Sequence, residues 1–284
     1  MQIAFLGGDR RMTLCAERAK EEGHATFAAV GGEGLLSHEV LTGVREASLL
    51  VLPYPATRDG VHIVGTHIPF SALPLREGAT VAGGAIPSAW HREHVLFYDV
   101  AKEEPFLWRN ARLTAEGALA TAMTATGRGL WGVETAVLGY GRIGAQMARL
   151  LASLGARVTV YARRPAVRAA AEAEGYRAEA LSFPLTLPEA VVFNTLPPDV
   201  TPRFSLTKGA LCYDLGGGLP VALSDGEGGE VAVTALRGVP GVFAPLAAAE
   251  VYYDALRPFL DGEGASDNES FPEDEVGPTF AEGR

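Results

Sequence analysis

The segment that most restricts the fold is Gly139-Tyr-Gly141-Arg-Ile-Gly144, set between the apolar runs Thr135-Ala-Val-Leu138 and Arg157-Val-Thr-Val-Tyr161. A strand feeding a glycine turn that opens a periodic helix, followed by a second strand, is the unit that cradles a dinucleotide. Gly139 permits the tight turn, Gly141 lets the backbone approach a pyrophosphate, and Gly144 lets helix and strand pack closely. The helix is expected over residues 145–154, its free N–H groups and positive dipole end facing the phosphates. Candidate cofactor contacts are therefore Gly139, Tyr140, Gly141, Arg142, Ile143 and Gly144. Asn194, Thr195 and Leu196 join them at the end of another apolar run, Ala190-Val-Val-Phe193.

The second strand bears on which dinucleotide. A site that prefers NAD places an acid about 20 residues after the first glycine, to bind the adenosine ribose. Here Ala162 stands at that point, followed by Arg163 and Arg164. A carboxylate would repel a 2′-phosphate, whereas two guanidiniums bind it through charge-assisted hydrogen bonds. The expected cofactor is NADP(H), with NAD(H) the alternative and Ala162, Arg163 and Arg164 as its further contacts.

With 48% apolar and 20% charged residues, the 284-residue chain has an ordinary globular composition and room for one or two domains. No apolar run reaches the roughly 18 residues of a membrane span. The N-terminus reads as a first strand, without the leader of a signal peptide. Cys15 and Cys212 are too few for a disulfide framework or a cysteine–metal cluster, so a cytoplasmic protein without a metal site is expected. Of the net charge of −10, most falls in residues 261–284, where eight acids face Arg284 alone. Without a basic stripe, neither nucleic acid nor an anionic membrane is an expected partner. The acidic, Gly- and Ser-rich tail is expected to be disordered.

Ahead of the glycine motif lies a second α/β pattern, with strands over 2–6, 25–30, 48–52, 80–82 and 95–97 and a helix over 10–22. An alanine-rich helix over 114–126 is expected to join the two halves, with Thr114 as its N-cap and Glu116 in its first turn. Beyond the motif, a helix is expected over 166–174, strands over 190–193, 210–214 and 241–243, and a final helix over 247–259. The glycine run over 216–229 reads as a mobile loop, because it opens no helix. The fold class is α/β, with two doubly wound parallel-sheet domains. A flavodoxin-like substrate domain spans 1–113 and a Rossmann dinucleotide-binding domain 114–246, with the final helix (about 247–260) returning to the first. Ligands then bind beyond the carboxyl ends of the strands, at 7–10, 53–57, 139–144 and 194–197.

Taken in order, the chain resembles the dipicolinate synthase family, in its larger, nicotinamide-binding subunit. The resemblance rests on Ile3-Ala-Phe-Leu-Gly-Gly-Asp9 with Arg11, Leu52-Pro-Tyr-Pro-Ala-Thr57 with Asp59-Gly60, and Thr114-Ala-Glu-Gly117. It continues through the glycine motif, Asn194-Thr-Leu-Pro197 and Val239-Pro-Gly-Val-Phe-Ala-Pro245, and so covers residues 1 to about 260. The family implies oxidation of a cyclic dihydrodipicolinate-type dicarboxylate to pyridine-2,6-dicarboxylate with a nicotinamide cofactor, in the mother cell of spore-forming bacteria. It also implies a smaller, flavoprotein-like partner subunit, and the sequence leaves a homo-oligomer open. Two segments depart from the pattern: Leu246-Ala-Ala-Ala249, where relatives look more like Lys-Thr-Ala-Gly, and Gly216-Gly-Gly-Leu-Pro220 after Asp214. A paralogue acting on another 2-oxo or 2-hydroxy acid, or a non-catalytic nucleotide-binding protein, is the alternative.

A dicarboxylate calls for guanidinium forks, and Arg11 and Arg142 lie in facing loops. Arg142 is also placed for a pyrophosphate contact, and Arg11 reads equally as a solvated first-turn residue. Asp9 and Glu116 are the candidate proton acceptors, each also readable as a helix-start acid with no catalytic role. The candidate catalytic residues are thus Asp9, Arg11 and Glu116. All six histidines precede the glycine motif. A D-2-hydroxyacid dehydrogenase, which shares this domain plan, needs a late imidazole base, so that chemistry is not expected.

Overall fold

The structure is a computed structural model and describes residues 1–31, 36–127, 129–198, 200 and 204–261. Apart from Asp261, the acidic tail expected to be disordered lies outside the described residues.

Unbroken apolar runs mark strands buried on both faces, and residues 3–6, 49–52 and 81–82 are all buried. Strands β1 (Gln2–Leu6), β2 (Ala25–Ala29), β3 (Leu49–Val51), β4 (Thr80–Gly83) and β5 (Leu96–Asp99) form a wholly parallel sheet in the order β2-β1-β3-β4-β5. Helix α1 (Arg10–Glu21) covers one face through Met12, Cys15, Ala16 and Ala19, and α2 (His38–Glu46) the other through Val40 and Val44. This is a flavodoxin-like order, with its strand reversal between β1 and β3.

Helix α3 (Glu104–Thr126) follows and runs for 23 residues. It begins ten residues before the expected start, with Pro105 in its first turn, where the missing N–H costs nothing. Thr114, expected as the N-cap, lies buried in mid-helix, and its hydroxyl donates to the Asn110 carbonyl at 2.8 Å. Glu116 is accordingly a mid-helix residue, away from the positive end of the dipole.

Strands β6 (Glu134–Leu138), β7 (Arg157–Ala162), β8 (Arg177–Ala180), β9 (Leu185–Leu187), β10 (Val191–Asn194), β11 (Phe204–Leu206), β12 (Leu211–Asp214), β13 (Ala222–Ser224) and β14 (Glu230–Ala235) build the second half. Seven of them form one sheet, β13-β14-β12-β10-β6-β7-β8, parallel except for β13 at the edge. Counted from β6, the parallel strands follow the Rossmann order 3-2-1-4-5-6. Helices α3, α4 (Arg142–Ser153) and α5 (Pro165–Ala173) cover one face. On the other face β9 and β11, paired only with each other, take the place of crossover helices. Pro184, Pro188, Pro197 and Pro198 in these connections prevent helix propagation. Strand β13 lies within the glycine run expected to be a loop.

Three helices close the described chain: α6 (Val239–Phe243), α7 (Pro245–Ala255) and α8 (Arg257–Leu260). Residues 241–243, expected as a strand, are the end of α6, which Pro240 initiates. Ala249, Tyr252, Tyr253, Leu256 and Leu260 pack with Ile3, Phe5 and Met12 in the core of the first sheet. Helix α6 meets α3 at Gly117, where a Cβ would stand 2.4 Å from Val239 Cγ1 and 2.9 Å from Phe243 Cβ. Gly117→Val should therefore cost about 1–3 kcal/mol by overpacking, seen as a fall of several degrees in Tm. An unchanged Tm would mean that α6 does not bear on α3.

Candidate dinucleotide-binding and active site

At the carboxyl edge of the second sheet, β6 has β10 on one side and β7 on the other, with Leu138 level with both Asn194 and Tyr161. The connections leave β6 and β10 toward opposite faces, which opens a crevice between them. Gly139 turns the chain at φ 90°, and a Cβ there would lie 2.9 Å from Thr195 Oγ1. That hydroxyl donates to the Leu138 carbonyl at 2.9 Å, tying the two strand ends together. A Cβ at Gly144 would lie 2.2 Å from the Gly139 carbonyl oxygen. Gly141 differs from both: its φ is −87°, open to any residue, and a Cβ there would meet nothing within 4 Å.

Helix α4 starts at Arg142, three residues before the expected Ala145, so Arg142, Ile143 and Gly144 form its first turn. Their N–H groups have no acceptor among the described residues. The Tyr140 ring turns away and packs edge-on to Tyr176 at 6.2 Å, so only its backbone belongs to the turn. The Arg142 side chain reaches across to α3: Nε donates to Glu104 Oε2 at 3.1 Å, and Nη2 bonds Glu104 Oε1. The Arg142 guanidinium holds the Glu104 carboxyl below the usual carboxylate range.

Ala162 ends β7 buried, and no carboxylate occupies its position. The side chains of Arg163 and Arg164 are exposed and have no hydrogen bond or ion pair among the described residues. Arg168, one turn into α5, donates to the carbonyls of Ala162 and Arg163 at 2.9 and 2.8 Å. It fixes the strand end from which the other two arginines project.

Sequence reasoning missed the most connected group of the site. Asp214, at the end of β12, is wholly buried. It accepts from Asn194 Nδ2 at 2.8 Å, from the Gly217 N–H at 3.0 Å, from the Leu219 N–H at 3.3 Å and from Arg237 Nη2 at 3.1 Å. Arg237 also donates to the Asp214 carbonyl at 2.9 Å. Burial pushes the Asp214 carboxyl up, but these four donors outweigh it and hold the group below its usual range. Asn194 is thereby committed: its amide serves Asp214 and its Oδ1 accepts the Leu196 N–H at 3.3 Å. It shapes the 194–198 loop, with both ends of its side chain engaged within the protein. Asp214 ends an apolar strand and is followed by a glycine run, a combination that signals a carboxylate folded back on its own loop.

In the first half, Asp9 caps α1 by accepting the Arg11 N–H at 3.0 Å, and its two oxygens take Arg11 Nε and Nη2 at 2.8 Å each. Burial raises the Asp9 carboxyl, yet Arg11 outweighs it and the net shift is downward. Gly141 has a counterpart of the opposite kind in Gly241 of α6, where a Cβ would stand 2.6 Å from Asp9 Oδ2 and 2.7 Å from Arg11 Nε. The pair thus lies against the second half of the chain. Tyr54, in the loop after β3, packs edge-on to Phe106 at 5.3 Å and so closely on Gly84 that a Cβ there would stand 2.2 Å from its ring. Burial, then the nearby Asp99, push its phenol up, and the Arg142 charge pulls it down. Glu116 is not brought to these groups by any described contact; it pairs with Arg112 at 2.6 Å on the same helix. Among the described residues no cluster of three His, Cys, Asp or Glu is arranged to hold a metal, and no helix is long and apolar enough to cross a membrane.

Asp214→Asn keeps the shape and removes the charge, and should cost about 1–3 kcal/mol. Because the folded-state value is depressed, that advantage of the wild type is complete above about pH 4 and fades as pH falls through the lowered value. Urea unfolding of both proteins from pH 7 to pH 3 should show the two curves converging in acid. A constant gap would mean that the charge of Asp214 is not what the loop depends on.

Residues 97–201 match the model of the D-isomer specific 2-hydroxyacid dehydrogenase NAD-binding domain. No curated protein matches the chain. Among solved structures, the dipicolinate synthase A chain from Bacillus subtilis is similar at 21% identity and a TM-score of 0.67, over 93% of this chain and 97% of that one. Its counterpart in the dipicolinate synthase of Bacillus halodurans is similar at 20% identity and 0.65, over 91% and 97%. D-lactate dehydrogenase from Escherichia coli is similar at 13% identity and 0.56, over 93% and 97%. The chain therefore has the α/β fold of these dehydrogenases, and its glycine turn lies in a Rossmann-like NAD-binding domain, within the residues that match the family model.

Proposed function

We propose that the chain is an NADP-dependent dehydrogenase of the dipicolinate synthase kind, oxidising a dihydrodipicolinate-type cyclic dicarboxylate to pyridine-2,6-dicarboxylate. The observation that carries the cofactor reading is the open space at Gly141. Packing accounts for the absence of a side chain at Gly139 and Gly144 but not at Gly141, where a bound pyrophosphate does. The N–H groups of Arg142, Ile143 and Gly144 face the same space as its donors. Arg163 and Arg164, without an ion-pair partner among the described residues and with no acid at the end of β7, suit a 2′-phosphate and favour NADP over NAD. A nicotinamide, when bound, supplies the hydride acceptor.

The substrate reading is supported by those family motifs that end in loops at the carboxyl edges of the two sheets, at 7–9, 53–57, 139–141 and 195–197, and by the two dipicolinate synthase structures. Asp9 and Arg11 act in it as a unit. A substrate carboxylate that takes the Arg11 fork displaces Asp9, which is then free to accept a proton. Glu116 we assign to its ion pair with Arg112, outside the chemistry. Arg237 and Asp214 hold the 214–219 loop against the end of β10 and so preserve the crevice. The same proposal includes the division into a substrate unit over 1–113 and a cofactor unit over 114–246, a cytoplasmic setting, a homo-oligomer and a flavoprotein-like partner.

A non-catalytic nucleotide-binding role is favoured by one observation, the 64% exposed Leu246 in a segment where the resemblance calls for a lysine. Incubation with dihydrodipicolinate and NADP, with and without a homologue of the flavoprotein-like partner, separates the readings: formation of pyridine-2,6-dicarboxylate with reduced cofactor supports the dehydrogenase. Cofactor binding without turnover in either mixture supports the non-catalytic role.

Two variants test the cofactor site. Gly141→Val should fold normally, because a Cβ there meets nothing within 4 Å, and should lose NADP(H) binding; undiminished affinity would remove the assignment. Replacing Arg163 and Arg164 with Ala should weaken NADP(H) by at least about tenfold, the worth of one hydrogen bond to a charged group. NAD(H) affinity should hardly move, and equal losses for the two cofactors would show that the arginines do not serve the phosphate.

A further inference from the structure

Arg142 is the first residue of α4; its side chain holds a carboxylate, while its backbone N–H has no acceptor among the described residues. Its N–H opens the turn beside Gly141, while its guanidinium forks onto Glu104 in the first turn of α3. Glu104 lies 38 residues earlier, shortly after the first sheet, so this ion pair ties the first turn of α3 to the first turn of α4. Both partners are well exposed, at 42% and 59% of their side chains. Neither side chain is fixed by burial. An exposed pair of this kind is weak, and a dianionic pyrophosphate held at the adjacent N–H groups outcompetes a single carboxylate for the guanidinium.

We propose that Glu104 is a positioning residue that competes with the cofactor pyrophosphate for Arg142, latching the first turn of α3 to α4 until a dinucleotide binds. The proposal rests on the cofactor reading above. Binding transfers the Arg142 fork from Glu104 to phosphate oxygens and leaves the carboxylate free at the start of α3. The affinity of the site is thus set below what its donors alone would give, and the first turn of α3 is uncoupled from α4 when the cofactor is held. Because the pyrophosphate is common to both cofactors, the latch acts on NADP(H) and NAD(H) alike, unlike the arginines at the end of β7.

The test is fluorescence titration of NADPH and NADH into the full chain as wild type, Glu104→Gln, Arg142→Ala and the double variant. Glu104→Gln should tighten both cofactors by the same factor, about two- to fivefold, the range of an exposed ion pair. Arg142→Ala should weaken both, and adding Glu104→Gln to it should change nothing further. The gain in Glu104→Gln should shrink as salt is raised. Glu104→Ala, with an unchanged melting curve as the check on folding, should repeat the result. Equal or weaker binding in both Glu104 variants, with a wild type that binds, overturns the latch and leaves the cofactor reading standing. A wild type and variants that all fail to bind either cofactor overturn the cofactor reading, and the latch with it.

Discussion

The structure depends on the close approach of α3 to the second half of the chain. A 23-residue helix that contributes Phe106 to the first core and Ala115, Ala118 and Ala122 to the second cannot bend between them without breaking backbone hydrogen bonds. Its small residues let neighbouring elements come near, and Gly117 lets α6 come nearest. Helix α6 then brings Gly241 against the Asp9–Arg11 fork at the first strand of the other sheet. Two glycines without room for a side chain thus fix how the carboxyl edges of the two sheets face each other. The cleft between those edges follows from packing, before any ligand is considered.

The charges along that cleft share one pattern. Arg11 is held by Asp9, Arg142 by Glu104 and Arg237 by Asp214, so each of these cations that could meet an anionic ligand already has a carboxylate. The three pairs are not equivalent. Asp214 is wholly buried and satisfied by four donors, and breaking that set strands buried groups. The Arg142–Glu104 pair is exposed and stabilises by little, so a ligand phosphate can replace the carboxylate with little loss. Asp9–Arg11 is intermediate, with the arginine 14% and the aspartate 44% exposed. A ligand anion is therefore expected to open the pairs from the exposed end, and to leave Asp214 and Arg237 as framework.

What is legible in the sequence follows from the range of the interactions involved. The β6–α4–β7 unit is readable because its signals are local: alternating elements, three glycines and an apolar helix face. The start of α3 escapes such a reading because the alanine-rich part dominates the pattern, although Pro105 marks the first turn. Residues 241–243 look like a strand in isolation, and only Pro240 hints at α6. Strands β9 and β11 carry three residues each and gain their stability from covering the second sheet, a tertiary effect that no local period reveals. The pairings of Asp9, Asp214 and Glu116 are likewise contacts, of which sequence spacing offers Arg112–Glu116 alone through its i,i+4 register.

The glycines give a sharper way to separate fold from ligand than the motif itself. A glycine is required by the fold when its φ is left-handed or when a Cβ would collide with protein. Gly139 meets both conditions and Gly144 the second, so either would be retained in a domain of this architecture that bound nothing. Gly216, whose Cβ would stand 1.7 Å from the Leu196 carbonyl oxygen, belongs with them, and this explains why a glycine run follows Asp214 without forming a phosphate cradle. Gly141 meets neither condition: its backbone is in an ordinary region and the space around it is open. A Cβ there would meet nothing within 4 Å, and would replace a residue type that loses more entropy on ordering than any other. What a side chain would exclude is an anion approaching the N–H groups of Arg142, Ile143 and Gly144, and that exclusion is the physical ground for placing the dinucleotide at this turn.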